Sequence, residues 1–318
     1  MKCDKNKIAI YICIKSLEED LEFINLLRAI SGSIRIHPSA TRPTKGELCE
    51  IVKDYDIVIC GIQEKFDLNV AECIQRLKVI ASLSTGVDHI DVHAFEVRNI
   101  KIINVPHSNN ISVAEHTWAM IFALSKKLFE ADAAVRSGEE RGGIKERPME
   151  LYGKTIGIVG AGSIAYHVAQ IACILGCSIK IWTFHPERHN EFKSLRATLV
   201  PSLEELIMRC DVLTIHLPLT SMSRNLIRKE HLLNVQRPLI LVNTSRAEII
   251  EKGALVESLE KKDMLRCGLD VYYDDELTKY PAYKVILSPH IAGLSQESTK
   301  RMHRDLVQRL TDLTANLL

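Results

Sequence analysis

The chain has 318 residues, which favours two domains, since a domain is typically about 100–200 residues long. Hydrophobic residues make up 46% and charged residues 25%, the composition of an ordinary water-soluble globular protein. The formal net charge of +1 gives no reason to expect nucleic acid or an anionic membrane as a partner. No uninterrupted apolar run approaches the roughly 18 residues that span a membrane.

Cysteine usage bears on the cellular compartment. There are nine cysteines, an odd number, and many lie inside apolar stretches. This pattern favours buried free thiols in a reducing compartment. The first residues, MKCDKNKIAIYICIKS, are charged and then strand-like, with no small-residue cleavage site, so no signal peptide is predicted and we expect a cytoplasmic protein. The cysteines within apolar runs are Cys13, Cys60, Cys73, Cys173, Cys177 and Cys267.

Strand-like and helix-like stretches alternate along the first hundred residues. KIAIYICI, DIVIC and KVIASLS predict strands, and LEEDLEFINLLRAI has apolar residues at helical spacing. This alternation predicts a parallel sheet covered by helices. A long helix is expected over residues 112–135, where Ser112 and Glu115 fit a capping box, and an exposed charged loop over residues 136–148.

A second series of strands and helices begins at Lys154. KTIGIVG, SIKIW, DVLTIHLP, PLILVN and LRCGLDV predict strands, with helices such as SLEELIMRC between them. The last stretch, SQESTKRMHRDLVQRLTDLTANLL, predicts a helix whose packing partner the sequence leaves open. The expected fold class is therefore α/β, with two doubly wound parallel-sheet domains.

The segment GIVGAGSIA joins a predicted strand to a predicted helix. Gly160 permits a tight turn, Gly162 allows close approach of a pyrophosphate, and Ala165 keeps the helix near the strand. The start of the helix, at Ser163 and Ile164, would direct unpaired N–H groups at the phosphates. This segment predicts binding of a dinucleotide.

The end of the next strand bears on the choice of cofactor. An acidic residue that binds the adenosine ribose is usual there, but this chain has Thr183, followed by His185 and Arg188. The missing carboxylate and the nearby basic residues favour NADP over NAD. His185 and Arg188 could equally be ordinary surface residues.

Three further polar groups follow predicted strands of the second series. Arg246 comes after LILVN, Asp275 and Glu276 after GLDVYY, and His290 lies within VILSPHIAG. Ligands bind beyond the carboxyl ends of strands in an open α/β sheet, so these residues can converge on one crevice. Arginine binds carboxylates with two parallel hydrogen bonds, and a histidine oriented by an acid can donate or accept a proton.

Several motifs in order carry a family resemblance. NTSRAEIIEKGALVESL, GLDVYYDDE, LSPHIAG, STGVDHID, SVAEHTWAMIFAL and LYGKTIGIVGAGSIA resemble segments of the D-2-hydroxyacid dehydrogenases. The resemblance covers nearly the whole chain. It implies a Rossmann-type NAD(P)-binding domain over residues 106–289, inserted in a flavodoxin-like substrate-binding domain made of residues 1–105 and 290–318. No added regulatory domain is expected after the last helix.

The resemblance also implies a role for each matching residue. Arg246 would hold the substrate carboxylate and carbonyl, His290 would donate the proton, and Asp275 would be the acid paired with His290. Asp270 would hold the nicotinamide carboxamide. The other implied residues are Thr244, His216, Pro218 and Gly293 beside the cofactor, and Ser84, Thr85 and Gly86 beside the substrate carboxylate.

The chain departs from the family pattern at two places. The family usually has glutamate and then proline where this chain has Asp275 and Glu276, so either of these two could be the acid of the triad. Ala247 replaces the glycine that usually follows the arginine, and we expect it to crowd the backbone there.

The functional hypothesis is an NAD(P)-dependent oxidoreductase that interconverts a 2-keto acid and a D-2-hydroxy acid, with no metal, working as a homodimer. The alternative is a cofactor-sensing binding protein that has kept the fold and lost turnover. The altered acid and Ala247 favour that alternative, and the retained Arg246 and His290 disfavour it. A third possibility is a dehydrogenase of an unusual acid, because fold analogy does not choose among substrates.

Overall fold

The structure is a computed structural model that describes residues 8–139, 141–144, 146–273 and 275–317. Lys7, at the start of the predicted strand KIAIYICI, two positions of the predicted loop 136–148, and Asp274 lie outside these residues. The chain divides into unit 1, Met1–Asn109 with Gln296–Leu318, and unit 2, Asn110–Ser295. These boundaries lie a few residues beyond the expected positions 105 and 289. None of the helices in the described ranges combines the length and apolarity that crossing a bilayer requires.

Unit 1 contains a five-stranded parallel sheet. Its strands are β1 (Ala9–Ile12), β2 (Ser33–Ile36), β3 (Ile57–Cys60), β4 (Val79–Ser82) and β5 (Lys101–Ile103). Their order, β2-β1-β3-β4-β5, is the order of flavodoxin-like folds. The first helices of the unit are α1 (Leu21–Arg28), α2 (Lys45–Asp54), α3 (Leu68–Glu72) and α4 (Val92–Glu96). The strand β2 was not predicted, because SIRI is short and half-exposed.

Unit 2 contains a seven-stranded parallel sheet in the order β12-β11-β10-β9-β6-β7-β8. This is the doubly wound order of dinucleotide-binding domains, extended by one strand. The strands are β6 (Thr155–Val159), β7 (Ser178–Trp182), β8 (Thr198–Leu199), β9 (Val212–Ile215), β10 (Leu239–Asn243), β11 (Leu265–Leu269) and β12 (Val285–Leu287). The helices are α5 (Asn110–Ser125), α6 (Leu128–Arg136), α7 (Ser163–Ile174), α8 (Leu203–Arg209), α9 (Lys229–Leu233) and α10 (Ala254–Lys261).

The prediction of one helix over residues 112–135 is wrong in two respects. The helix α5 begins at Asn110, so Ser112 is not its cap, and the Ser112 hydroxyl donates to the carbonyl of Ala292 (2.7 Å). The helix also stops before Lys127, which has a left-handed backbone (φ 55°). The Lys127 ammonium is buried between the carboxylates of Glu130 (3.2 Å) and Glu146 (3.1 Å), which holds the break in place.

The final helix, α11 (Gln296–Leu317), belongs to unit 1 and answers the question that the sequence left open. It packs on α1 and on the β4–β5 side of the sheet. Leu306 and Leu310 are fully buried in the cluster that also contains Phe23 and Leu27 of α1. Residues from both ends of the chain therefore form one hydrophobic core.

The cysteines follow the predicted pattern only in part. Cys13, Cys60, Cys210 and Cys267 are buried free thiols. The prediction is wrong for Cys73, which forms a disulfide with Cys49 across a Cα–Cα distance of 5.2 Å. Tertiary packing of α2 against α3 brings these two cysteines together, although they are 24 positions apart in the sequence.

We expect Leu306→Ala to lower the free energy of unfolding by about 2–5 kcal/mol, because the substitution leaves a cavity in the core of unit 1. Urea unfolding followed by circular dichroism measures this change. Gln308→Ala, at an exposed position of the same helix, is the matched control and should cost about 0.5 kcal/mol or less. Equal effects of the two substitutions would contradict the packing of α11.

Candidate functional site

One row of paired residues defines the carboxyl edge of the sheet in unit 2. The last residues of six strands lie opposite one another across the sheet, in the order Leu287, Leu269, Asn243, Ile215, Val159 and Trp182. The next residue of each chain segment therefore emerges at the same edge. In the same order these residues are Ser288, Asp270, Thr244, His216, Gly160 and Thr183.

The glycine-rich turn follows β6 as the sequence predicts. Gly160 has φ 106°, and a Cβ added to it would lie 2.5 Å from the carbonyl oxygen of His216. No other residue fits this turn without displacing the backbone. Gly162 is the N-cap of α7 and faces open space, with no side-chain cap on the helix. Ser163 and Ile164 open the helix after this glycine, and the partial positive charge of a helix N-terminus suits the pyrophosphate of a dinucleotide.

Thr183 occupies the position where a ribose-binding acid is usual. Its buried hydroxyl accepts the backbone N–H of His185 (3.1 Å), which shapes the turn after β7. The His185 ring is exposed and lies 3.4 Å from the carboxylate of Glu187. Arg188 is exposed, and no ion pair involves it within the described ranges. The turn thus carries one arginine that is available to an anion and one histidine with an acidic neighbour.

The next strand ends contribute neutral polar groups. His216 is buried, its imidazole hydrogen-bonds the Thr214 hydroxyl (2.8 Å), and burial lowers its pKa to about 3. The His216 ring is therefore neutral at ordinary pH. The buried Thr244 hydroxyl pairs with that of Thr117 on α5 (3.0 Å). Pro218, exposed after β9, accepts the Ser223 hydroxyl (2.6 Å). These groups can line a cofactor without adding charge.

Arg246 follows Thr244 by two residues and is half-buried. Its guanidinium donates to the Ser245 carbonyl (2.8 Å), and the Asn243 side chain donates to the Arg246 carbonyl (2.9 Å). Ala247 is not among the residues with a positive φ, so the backbone there accepts a side chain without strain. The expected crowding beside Arg246 stays a prediction.

His290 lies three residues past β12. It has φ 58°, a left-handed conformation that is uncommon for a residue with a side chain. Burial lowers the pKa of His290, the positive charge of Arg246 lowers it further, and the negative charge of Asp270 raises it. The pKa of His290 thus responds to the charges of Arg246 and Asp270.

The two acids expected beside His290 lie in an exposed turn after β11. Asp275 and Glu276 begin a 3₁₀ helix, Asp275–Lys279, and both are exposed. Glu276 lies 3.8 Å from Lys279. In the part of the chain that the structure describes, neither carboxylate contacts His290. The charge of Arg246 lowers the pKa of His290, and the acid of the triad stays a prediction.

The carboxylate that does reach the His290 segment is Asp270. Asp270 directly follows β11 and is buried. Its carboxylate accepts hydrogen bonds from the backbone N–H groups of Ile291 (2.9 Å) and Ala292 (2.9 Å). It also accepts the hydroxyl of Ser288, which in turn pairs with the His116 imidazole (3.0 Å). Gly293 continues this segment. No role for Ser288 or His116 was predicted from the sequence, and the signal for His116 was a histidine on a mainly apolar helix.

Ser84, Thr85 and Gly86 lie in unit 1, past the carboxyl end of β4. The buried Ser84 hydroxyl donates to the Gly86 carbonyl (2.5 Å) and pairs with the Ser82 hydroxyl (2.7 Å). The Asn104 side chain donates to the Thr85 carbonyl (2.6 Å). These bonds use side chains and carbonyl groups, and they fix the loop in one conformation.

Comparison with known proteins agrees with this geometry. Residues 118–292 match the family model described as D-isomer specific 2-hydroxyacid dehydrogenase, NAD binding domain. The chain is 33% identical over 280 residues to a glyoxylate reductase of Korarchaeum cryptofilum, covering 84% of this chain and 82% of that protein. It is 34% identical over 266 residues to a D-3-phosphoglycerate dehydrogenase of Methanocaldococcus jannaschii, covering 82% of this chain but only half of that longer protein.

Among solved structures, an acyclic imino acid reductase in complex with NADPH and D-Arg has a similar fold. Its TM-score is 0.86 at 24% identity, with 97% of this chain and 98% of that chain covered. At this identity the likeness concerns the fold alone. The family model and the curated relatives carry the assignment, and the chain belongs to the D-isomer-specific 2-hydroxyacid dehydrogenase family, whose enzymes are NAD-dependent oxidoreductases.

Proposed function

We propose that the protein reduces a 2-keto acid to a D-2-hydroxy acid, and catalyses the reverse oxidation, with NADPH as its preferred reductant. The observation that carries this proposal is the arrangement at the carboxyl edge of unit 2. A glycine turn built for a pyrophosphate shares that edge with Arg246 and with His290, whose pKa responds to the Arg246 charge. A cation for a carboxylate and a proton donor are the two groups that this reaction requires.

The chemistry of each group follows from its type. The Arg246 guanidinium binds the substrate carboxylate and stabilises the negative charge that develops on the carbonyl oxygen. The imidazolium of His290 gives its proton to that oxygen and becomes neutral imidazole. The bound nicotinamide supplies the hydride that the carbonyl carbon accepts. In the direction of oxidation, neutral His290 accepts the hydroxyl proton.

The loop at Ser84, Thr85 and Gly86 supports the substrate role of unit 1. Its side-chain bonds leave a fixed loop whose backbone N–H groups suit a carboxylate. We propose that these groups bind the carboxylate of the 2-keto acid. The homodimer expected from the resemblance stays a prediction.

The alternative of a cofactor-sensing protein without turnover has one observation in its favour. The exposed carboxylates of Asp275 and Glu276 make no contact with His290 within the described residues. Turnover with any 2-keto acid would exclude this alternative. Cofactor binding without turnover on a broad panel would support it.

We expect Arg246→Gln to raise KM and to lower kcat by about 100-fold or more, since the variant loses the charge that stabilises the developing oxyanion. His290→Ala should mainly lower kcat, because its role is the proton transfer. Steady-state oxidation of NADPH with glyoxylate, hydroxypyruvate, pyruvate, phenylpyruvate and 2-ketoisovalerate measures both effects. Arg228→Gln, on an exposed arginine that is not among the proposed site residues, is the control. Unchanged rates in both site variants would overturn the mechanism.

The pH dependence follows from the lowered pKa of His290. Reduction needs the protonated imidazole in the free enzyme, so its kcat/KM should fall as the pH rises through a value below 6.5, the ordinary pKa of histidine. Oxidation needs the neutral imidazole, so its kcat/KM should rise through the same pH range. The pH profiles of His290→Ala in both directions are the control. In this variant we expect kcat/KM to lose the change with pH that His290 causes. If kcat/KM of the variant still changes in this pH range, a group other than His290 causes the change.

The preference for NADP rests on Thr183 and Arg188. We expect Thr183→Asp to weaken NADPH binding and to improve NADH binding, because a carboxylate repels a 2′-phosphate and accepts ribose hydroxyls. Arg188→Ala should weaken NADPH binding and leave NADH binding nearly unchanged. Fluorescence titration of each variant with both cofactors measures these changes. If wild-type protein binds NADH more tightly, the preference is wrong.

A further inference from the structure

A cavity of about 460 Å³ lies at the amino edge of the sheet in unit 2, where the strands begin. Its lining includes one residue that precedes each of four strands, namely Lys154, Asp211, Arg237 and Asp263. The end of α5 and the segment 146–149 also line it. Parallel strands all begin at one edge and end at the other, so the cavity is separate from the groups that follow the strands. Its volume is in the range of small-molecule sites.

Two of the three carboxylates that line the cavity are paired with cations. The Glu146 carboxylate lies 3.1 Å from the Lys127 ammonium and 3.1 Å from the Arg266 guanidinium. The exposed Asp263 carboxylate lies 3.3 Å from the Lys284 ammonium. These pairs account for the charges of Lys127 and Arg266, which are also lining residues.

Three further cations line the cavity and have a distant partner or none in the described ranges. The Arg237 guanidinium lies 3.8 Å from the Asp211 carboxylate, which already accepts the N–H of Thr155 (2.8 Å). Lys154 and Arg147 form no ion pair with any residue that the structure describes. The cavity therefore carries a surplus of positive charge.

Arg237 has donors that the described part of the chain leaves unsatisfied. Its Nε and Nη2 atoms are buried and make no hydrogen bond there. A buried donor without an acceptor is costly, and the cost is larger for a charged group. About a third of the side chain is exposed (35%), and no hydrogen bond to a described residue holds the guanidinium. The side chain can therefore turn toward an anion in the cavity, which would accept both N–H groups in parallel.

We propose that this cavity binds the phosphate group of a small phosphorylated molecule. A phosphate monoester carries about two negative charges at neutral pH and has three acceptor oxygens, so it can engage the Arg237 fork and the Lys154 ammonium together. A carboxylate has a single charge and matches the surplus less well. The body of the molecule would lie against the apolar side chains of the lining, which include Leu124, Met149, Leu239 and Met264.

The first test measures binding of phenyl phosphate to the whole protein by isothermal calorimetry, with NADPH in excess to occupy the dinucleotide turn. We expect Arg237→Gln to weaken binding by about tenfold or more, since it removes a charged fork. Lys154→Gln should also weaken binding. Arg228→Gln, on an exposed arginine outside the cavity lining, is the matched control and should leave the affinity unchanged.

The same measurement separates the cavity from the site proposed for the substrate. Arg246→Gln should leave the affinity for phenyl phosphate unchanged. If Arg246→Gln abolishes binding and Arg237→Gln does not, the probe binds at the opposite edge and the proposal is overturned. Absence of binding to the wild-type protein would overturn it as well.

Benzoate tests the chemical class, because it carries a carboxylate on the same ring. We expect benzoate to bind at least about tenfold more weakly than phenyl phosphate, since it brings less charge to the cations of the cavity. Equal affinities of the two probes would contradict the preference for phosphate.

A spectroscopic test reads Arg237 in the wild-type protein and covers the case in which Arg237→Gln does not fold. ¹H–¹⁵N spectra of the arginine Nε–H groups are recorded during titration with phenyl phosphate, and the Arg237 signal is assigned from its loss in Arg237→Lys. We expect this signal to move as the Nε–H gains an acceptor, and the shift to saturate at the affinity that calorimetry gives. A bound probe with an unmoved Arg237 signal would overturn the proposal.

Discussion

Parallel pairing of the strands in unit 2 is the constraint on which its chemistry depends. Parallel neighbours need a crossover connection, so every strand leaves the sheet at the same edge. Asn243 lies opposite Ile215 on one side and Leu269 on the other. The residues that follow must then emerge side by side, whatever their distance along the chain. The glycine turn, Arg246 and Asp270 share one edge for this reason.

The polar groups at this edge are buried, and burial carries a cost unless hydrogen bonds compensate it. His216 avoids the cost by remaining neutral against the Thr214 hydroxyl. Thr244 pairs with Thr117 from α5. Asp270 takes three donors from the segment that contains His290. Satisfying a buried carboxylate thus also fixes the conformation of the proposed proton donor.

The two departures from the family pattern differ in their effect on the local structure. Ala247 in place of glycine is tolerated, because its backbone does not have a positive φ. The change at Asp275 and Glu276 is larger, since both residues begin an exposed 3₁₀ helix and neither contacts His290 in the described chain.

The sequence by itself determined the strand and helix alternation, the dinucleotide turn and the family, because these depend on local spacing and on short motifs. It also predicts Arg246 and His290 as site residues from their positions after strands. It did not determine the break at Lys127, the Cys49–Cys73 disulfide or the packing of α11, since each depends on residues distant along the chain. Residue counting from the motif led to Asp275, whereas the tertiary structure joins Asp270 to the His290 segment, because hydrogen bonds form between groups that the fold brings within about 3 Å.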